Sequence, residues 1–428
     1  MSKFQLALLI AFGFFLVVAV LVFAFYRGGG GGSRVSEVVV WGDISAYDVN
    51  VLFNETQISQ NEDFDISYVE KSPETLYTEY TEALARGIGP DLIIISQDQI
   101  WKEREKLISI PYDNLSERDF RESFIEEGEL FLTSQGVLAI PLSVDPMVLY
   151  YNRNLLTSAG QVRPIAFWDE LYAASSALTK RDLAGNITSS TIALGEAVNI
   201  NNFKDILSLL LIQAGTPISS LNGESLRPEL NSTFNLPIAP GESALDFYTQ
   251  FSNPNRTYYS WNRSMTDAQT HFTAGNSAYY LGFASELRVL RSKNPTLNLG
   301  VALVPQSRVS GRSVTYGKLR AVAISRGTAS PGAALAVATL LTSRDVSLEL
   351  SSILLVPSPR RDVLELKPTD AIFSVFYDAA LQSRAWLDPE PNASKTIFRE
   401  MVESVTSGRA RINEALSRAN RELETLMR

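Results

Sequence analysis

The chain has 428 residues, 45% hydrophobic and 20% charged, with a formal net charge of −9 and a pI near 5.0. This is the composition of a folded chain rather than a disordered tail, and an acidic balance without a basic stripe argues against nucleic acid as a partner. There are no cysteines and one histidine, His271. Disulfides, thiol nucleophiles and Cys-based metal sites are excluded, and His271 lacks the HExxH surroundings or partners of a zinc or triad site; it reads as a surface or packing residue.

Phe4 to Tyr26 reads FQLALLIAFGFFLVVAVLVFAFY, bracketed by Lys3 and Arg27. As a helix this stretch rises about 34 Å, enough to cross a hydrocarbon core of about 30 Å. A secretory signal peptide has a shorter apolar core, about 7–15 residues, and ends in small residues. Ala24-Phe25-Tyr26 is a poor cleavage site, and no cysteine follows that could carry a lipid. Residues 1–27 are therefore expected to remain as a transmembrane anchor. RGGGGGSR supplies a flexible tether over 28–35. Positive residues flank the apolar stretch on both sides, so charge counting leaves its orientation open.

About 395 residues follow, too many for one core, so two lobes are expected. Val38-Val39-Val40-Trp41, closed by Gly42-Asp43, has the pattern of a buried first strand. SPETLYTEYTEALAR (Ser72–Arg86) predicts a helix started by Ser72 and Pro73 and ended by Gly87. Pro90-Asp91 opens LIIIS, a strand buried on both faces. Strand, helix, strand in this order predicts right-handed βαβ crossovers in a parallel sheet. GVLAIPL (Gly136–Leu142) predicts another strand, leading into SVDPMVLYYNRNLL. From Trp168 helices dominate: Asn202–Ala214, Ser243–Phe251 and Thr266–Thr273. Strands return at Leu297–Val304 and Leu319–Ser325, then helices at Pro331–Leu341 and Ile412–Met427. No internal repeat is visible.

Four motifs in order resemble one family. GVLAIPLSVDPMVLYYNRNLL (Gly136–Leu156) runs on to Phe167-Trp168-Asp169-Glu170-Leu171; FTAGNSAYYLG (Phe272–Gly282), YGKLRAVAIS (Tyr316–Ser325) and VPSPRRDVL (Val356–Leu364) follow. Together they resemble the extracellular solute-binding proteins of the maltose-binding-protein class, the capture subunits of ABC importers. The resemblance covers nearly everything after residue 36. It implies an α/β, two-lobed periplasmic-binding-protein-like fold with hinge strands and an interlobe cleft, behind one N-terminal transmembrane helix. It implies lobe 1 from 36–143 and 284–318, and lobe 2 from 144–283 and 319–428. It also sets the lobes outside the cytoplasmic membrane. Fewer aromatics than the family usually carries, with Phe283-Ala284-Ser285 after the second motif, argue against a long maltodextrin-like ligand.

Open α/β sheets bind ligands beyond the carboxyl ends of their strands. Trp41 there can face a sugar ring, or pack under the sheet; Asp43 and Ser45 can bond hydroxyls. Ser96, Gln97 and Asp98 end the second long strand, where Asp98 is a ligand contact or a helix cap. Asp145 marks the crossing between lobes, as a ligand-binding carboxylate or a turn before Pro146. The resemblance places Asn202 near a ligand contact. Trp261 is a cleft wall or a lobe anchor, and Phe283 and Tyr316 lie where strands re-enter the cleft. Sequons at Asn54, Asn114, Asn186, Asn231, Asn255, Asn262 and Asn392 mark surface only in a host that glycosylates them.

The expected function is a cell-membrane-tethered, single-pass, extracytoplasmic receptor for a small-molecule ligand, a carbohydrate above all. It acts as a monomer without cofactor, metal or catalysis, and passes its ligand to ABC permease subunits. The alternative is a sensor or adhesion domain that reuses the fold without transport. A glycosidase with paired carboxylates finds no support beyond loose acids.

Overall fold

The computed structural model describes residues 36–308 and 311–427. The expected anchor (1–27) and tether (28–35) lie outside the described residues. Among the described residues, no helix is long and apolar enough to cross a membrane.

The strands in chain order are β1 (Ser36–Gly42), β2 (Phe64–Glu70), β3 (Leu92–Ser96), β4 (Leu107–Ile108), β5 (Ile140–Asn152), β6 (Lys180–Arg181), β7 (Ile187–Ser189), β8 (Ser219–Asn222), β9 (Ser225–Pro228), β10 (Tyr279–Phe283), β11 (Leu299–Ala302), β12 (Thr315–Ser325) and β13 (Ser383–Arg384). The main sheet runs β10-β5-β12-β3-β1-β2, with β11 beside β5 and both β4 and β13 beside β12. β1 is parallel to β2 and β3, as the alternation of strands and helices requires. Leu92 to Ile95 are buried, because helices cover both faces of this part of the sheet.

Two long strands build both lobes. The first half of β5 pairs antiparallel with β12, up to Gly317 opposite Pro146. Its second half, from Met147, is flanked by β10 and β11. The apolar residues divide at the same point. One core gathers Val38, Ile95, Val144, Leu319, Val337 and Leu350; the other gathers Met147, Leu207, Trp261, Phe283, Tyr316, Phe398 and Leu423. β5 crosses between cores at Asp145–Pro146 and β12 at Gly317–Lys318. The helix Ala371–Leu381 also straddles them, with Phe376 in one core and Tyr377 in the other.

This packing divides the chain differently from the expected partition. Residues Ala284 to Tyr316 pack with lobe 2, and Leu319 to Leu350 with lobe 1. The reason is the direction of β12: it enters from lobe 2 at Thr315 and pairs with β3 of lobe 1 from Arg320 onward.

The helices over Pro331–Leu341 and Ile412–Met427 form as expected. The helix expected from Ser72 begins at Leu76 instead, because the first residues make a hydrogen-bonded turn in which Thr75 and Leu76 donate to the Ser72 carbonyl. His271 is 9% exposed and packs edge-on against Trp261, consistent with the packing role; burial pulls its pKa down.

Candidate functional site

Where the lobes meet, β12 carries Lys318 and Arg320 on one face, on either side of the buried Leu319. Arg320 forks onto Asp43 at the end of β1, with Nε 3.0 Å from Oδ1 and Nη2 2.9 Å from Oδ2. Lys318 turns to lobe 2, 3.1 Å from Asp205 and 3.8 Å above the centre of the Phe283 ring. Two cations of one strand thus hold one acid from each lobe.

The groups are recessed yet wet. Lys318 and Arg320 keep 44% and 36% of their side-chain surface exposed, whereas Asp43 and Asp205 keep 18% each. Surrounding protein nevertheless desolvates both cations. That burial pulls the Lys318 pKa down, but Asp205, Asp145 and Glu286 outweigh it and hold it above the ordinary lysine value. Arg320 is likewise raised, with burial opposed by Asp43 and Asp145. Partial exposure of groups desolvated from most sides is the signature of a cleft rather than a flat surface.

Around this floor sit further polar groups. Tyr77 bonds Ser96 at 3.2 Å, and Ser96 donates to Asp98. Burial, then the Asp98 charge, push the Tyr77 pKa up. Asn202 donates to Glu286 at 2.8 Å, and Glu286 also accepts the Phe283 backbone N–H at 2.9 Å. Lys204 is held by Asp388 and Ser394 and lies 5.4 Å from the Trp386 ring centre. Lys102 of lobe 1 meets Glu390 at the start of the lobe 2 helix Pro391–Thr406, 2.8 Å apart. Tyr316 is buried, and burial followed by Asp205, Asp98 and Asp388 pushes its pKa up, so it senses acids from both lobes.

The structure therefore brings Asp43, Ser96, Asp98, Asn202, Phe283 and Tyr316 to one region. It sets other expected residues apart. Trp261 is fully buried, its indole N–H bonded to Asn199 at 3.0 Å, so it anchors lobe 2 and walls no cleft. Gln97 is 2% exposed and extends the ladder to Leu319 through both its backbone and its side-chain oxygen. Ser45 is exposed and caps the helix Ala46–Glu55. Trp41 has the Lys71 ammonium 4.1 Å from its ring centre, which occupies one face. Asp145 adjoins the cluster, close enough for its charge to act on Lys318 and Arg320, but it is 7% exposed and both its oxygens accept from Ser285, at 2.9 Å from its backbone N–H and 2.6 Å from its hydroxyl.

Sequence reasoning missed Lys318, Arg320, Asp205, Glu286 and Tyr77. One signal was available for the first two: a lysine and an arginine alternating within an otherwise apolar strand, where charge at a sheet interior requires partners.

A separate concavity of about 370 Å³ in lobe 2, lined by Trp168, Tyr172, Phe247 and Arg308, shares no residue with this cluster. Its inner polar groups are already satisfied, Gln213 by Trp168, Pro305 and Val314, and Arg308 by Asp169.

Residues 53–372 match the family model described as bacterial extracellular solute-binding protein. No curated protein sequence matches the chain. Among solved structures, a cyclo/maltodextrin-binding protein complexed with maltotetraose superposes with a TM-score of 0.75 at 14% identity, covering 92% of this chain and 98% of that one. The cyclic α-maltosyl-1,6-maltose binding protein from Arthrobacter globiformis gives 0.75 at 17%, with 92% and 99% covered. The sugar-binding protein MalE from Xanthomonas citri gives 0.75 at 17%, with 92% and 97% covered. With three quarters of the sequence matched and the two-lobed fold on the page, the chain belongs to the bacterial extracellular solute-binding protein family.

Proposed function

We propose that this protein is a membrane-tethered, extracytoplasmic receptor that captures a sugar between its lobes and delivers it to an ABC importer. The observation that carries the reading is the Asp43–Arg320 and Lys318–Asp205 arrangement. Carboxylates accept two hydroxyl hydrogens each and the cations donate to hydroxyl oxygens, so one polyol can engage both lobes. Asp98 and Asn202 add polar contacts at the two walls. Sugar ligands named for the structural relatives support the same class. Capture proceeds by closure of the lobes about β5 and β12, a hinge mechanism. The tether would keep the receptor near its permease at raised effective concentration.

A thermal-shift screen of the full chain in mild detergent against sugars, polyols and peptides tests this. Ligand at a hundred times its Kd stabilises the native state by about 2.7 kcal/mol. Stabilisation by peptides with none by any sugar or polyol would overturn the sugar reading. Intact mass of the membrane-extracted protein tests the anchor; a mature chain beginning near Arg27 or Gly28 would overturn it.

A further inference from the structure

Glu127 lies in the turn Glu126–Phe131 of lobe 1 and is 1% exposed. Neither carboxyl oxygen has a well-formed hydrogen bond; the nearest donor is the Ser383 hydroxyl, and the Arg384 charge acts on it from farther away. A charged carboxylate so placed lacks the donors that normally replace water, which favours its neutral form.

Its position matters more than its burial. A Cβ built on Gly317 would lie 2.2 Å from the Glu127 Oε2 and 1.9 Å from the Ser383 Oγ. Both side chains therefore press on the Gly317 backbone, in space only glycine leaves free. Gly317 is paired with Pro146, and these are the residues at which β12 and β5 cross between the two cores. Ser383 is itself paired with Thr315, in the lobe 2 end of β12. One carboxyl group thus joins the lobe 1 turn to two strands at the pivot.

The titratable groups around it are accounted for. β12 brings Tyr316 and β13 brings Arg384, which is bonded to Glu126. On its own turn, Glu126 also faces Arg312, and Glu129 meets Arg121. The helix Glu117–Ser123 brings Arg121, shared with Glu117. β5 brings Asp145, which is committed to Ser285.

We propose that Glu127 is a proton-operated lock on the hinge. Protonated, it packs against Gly317 and Ser383 and fixes the lobe angle; ionised, it draws away from the Gly317 backbone toward water, keeps the Ser383 hydroxyl as its donor, and frees the crossing strands. Burial pushes its pKa up to about 7, only partly countered by Ser383 and Arg384, so the lock works across near-neutral pH. The proposal rests on the hinge reading of β5 and β12 and is independent of which ligand the cleft takes.

The test uses no ligand, so its failure is distinct from failure of the sugar reading. The cysteine-free chain permits dye labelling at Glu82→Cys in lobe 1 and Arg399→Cys in lobe 2. Energy transfer is followed in the full chain, in lipid nanodiscs, from pH 5.5 to 8.5. The inter-dye distance is expected to shift with a midpoint near pH 7, and Glu127→Gln to hold the acid-side distance throughout. Ser383→Ala removes the nearest donor to the ionised form and should move the midpoint upward. A distance that does not change with pH, a transition that persists in Glu127→Gln, or a midpoint unmoved in Ser383→Ala would overturn the proposal.

Discussion

Replacing Asp145 by alanine separates a hinge group from a ligand contact. Its carboxylate accepts both the backbone N–H and the hydroxyl of Ser285, the residue that begins the helix Glu286–Lys293. The pair fastens that helix to the point where β5 changes lobes. Hydrogen bonds to a charged group contribute about 1.5–3 kcal/mol, and an anion at a helix start about 0.3–1 kcal/mol more. Two facts lower the net value. Ser285 is exposed, so water can take the place of Asp145. Burial also pushes the Asp145 pKa up despite both Ser285 bonds, so desolvation offsets much of their gain. A cost near the lower bound, about 1.5 kcal/mol, is expected for Asp145→Ala. For a lobe of this size that lowers Tm by about 3–6 °C. Ser285→Ala removes only the hydroxyl bond and should cost about 0.5–1 kcal/mol. The double variant should be no worse than Asp145→Ala alone, because the two residues share one interaction. Calorimetric melting of the ligand-free chain measures all three, and titration with a sugar from the screen should find affinity within a few-fold of wild type. An unchanged Tm together with an affinity loss of about tenfold, equivalent to about 1.4 kcal/mol, would refute the reasoning and return Asp145 to the ligand.

Three other outcomes follow from the packing and charge. Arg320→Gln should weaken sugar binding by about ten- to a hundredfold, the equivalent of losing a charge-assisted hydrogen bond; titration calorimetry reads this directly, and wild-type affinity would remove Arg320 from the site. Trp261→Ala should cost about 3–5 kcal/mol of stability, as for a large aromatic removed from a core; a variant with wild-type melting and lost binding would make it a cleft wall after all. Stability should also fall with rising pH through Glu127. Its folded pKa is raised from 4.5 to about 7, so the native state holds a proton that the unfolded chain loses. The contribution is present in full below about pH 4.5, disappears as pH rises through about 7, and amounts to about 3 kcal/mol. Urea unfolding of wild type and Glu127→Gln across that range measures it, and parallel curves would contradict it.

Local patterns in the sequence were enough for the elements that local patterns control. The four-residue run Leu92–Ile95 could only be a doubly covered strand, and the spacing of Ile412, Leu416, Ala419 and Leu423 could only be a helix face. Pairing of neighbouring βαβ strands followed from chirality and short connections. The family resemblance in turn rested on motifs short along the chain, each lying in one element or in elements that follow directly on one another.

The cleft was a different matter, because its contacts join residues far apart in the chain. Asp43 and Arg320 are 277 positions apart and meet only because β12 lies beside β3, with β1 on the other side of β3. Nothing local in YGKLRAVAIS says that Lys318 leans toward one lobe and Arg320 toward the other. The lobe boundaries failed in sequence for the same reason: whether Leu319 joins the first core or the second depends on its strand partners, not on its neighbours in the chain. Trp261 and Gln97 were plausible ligand contacts by residue type, and tertiary packing assigned one to a core and the other to a ladder. Sequence settled the local conformations because short-range sterics and periodic burial decide them. Only the tertiary structure decided which charges face one another, because electrostatic partnership depends on distance through space rather than along the chain.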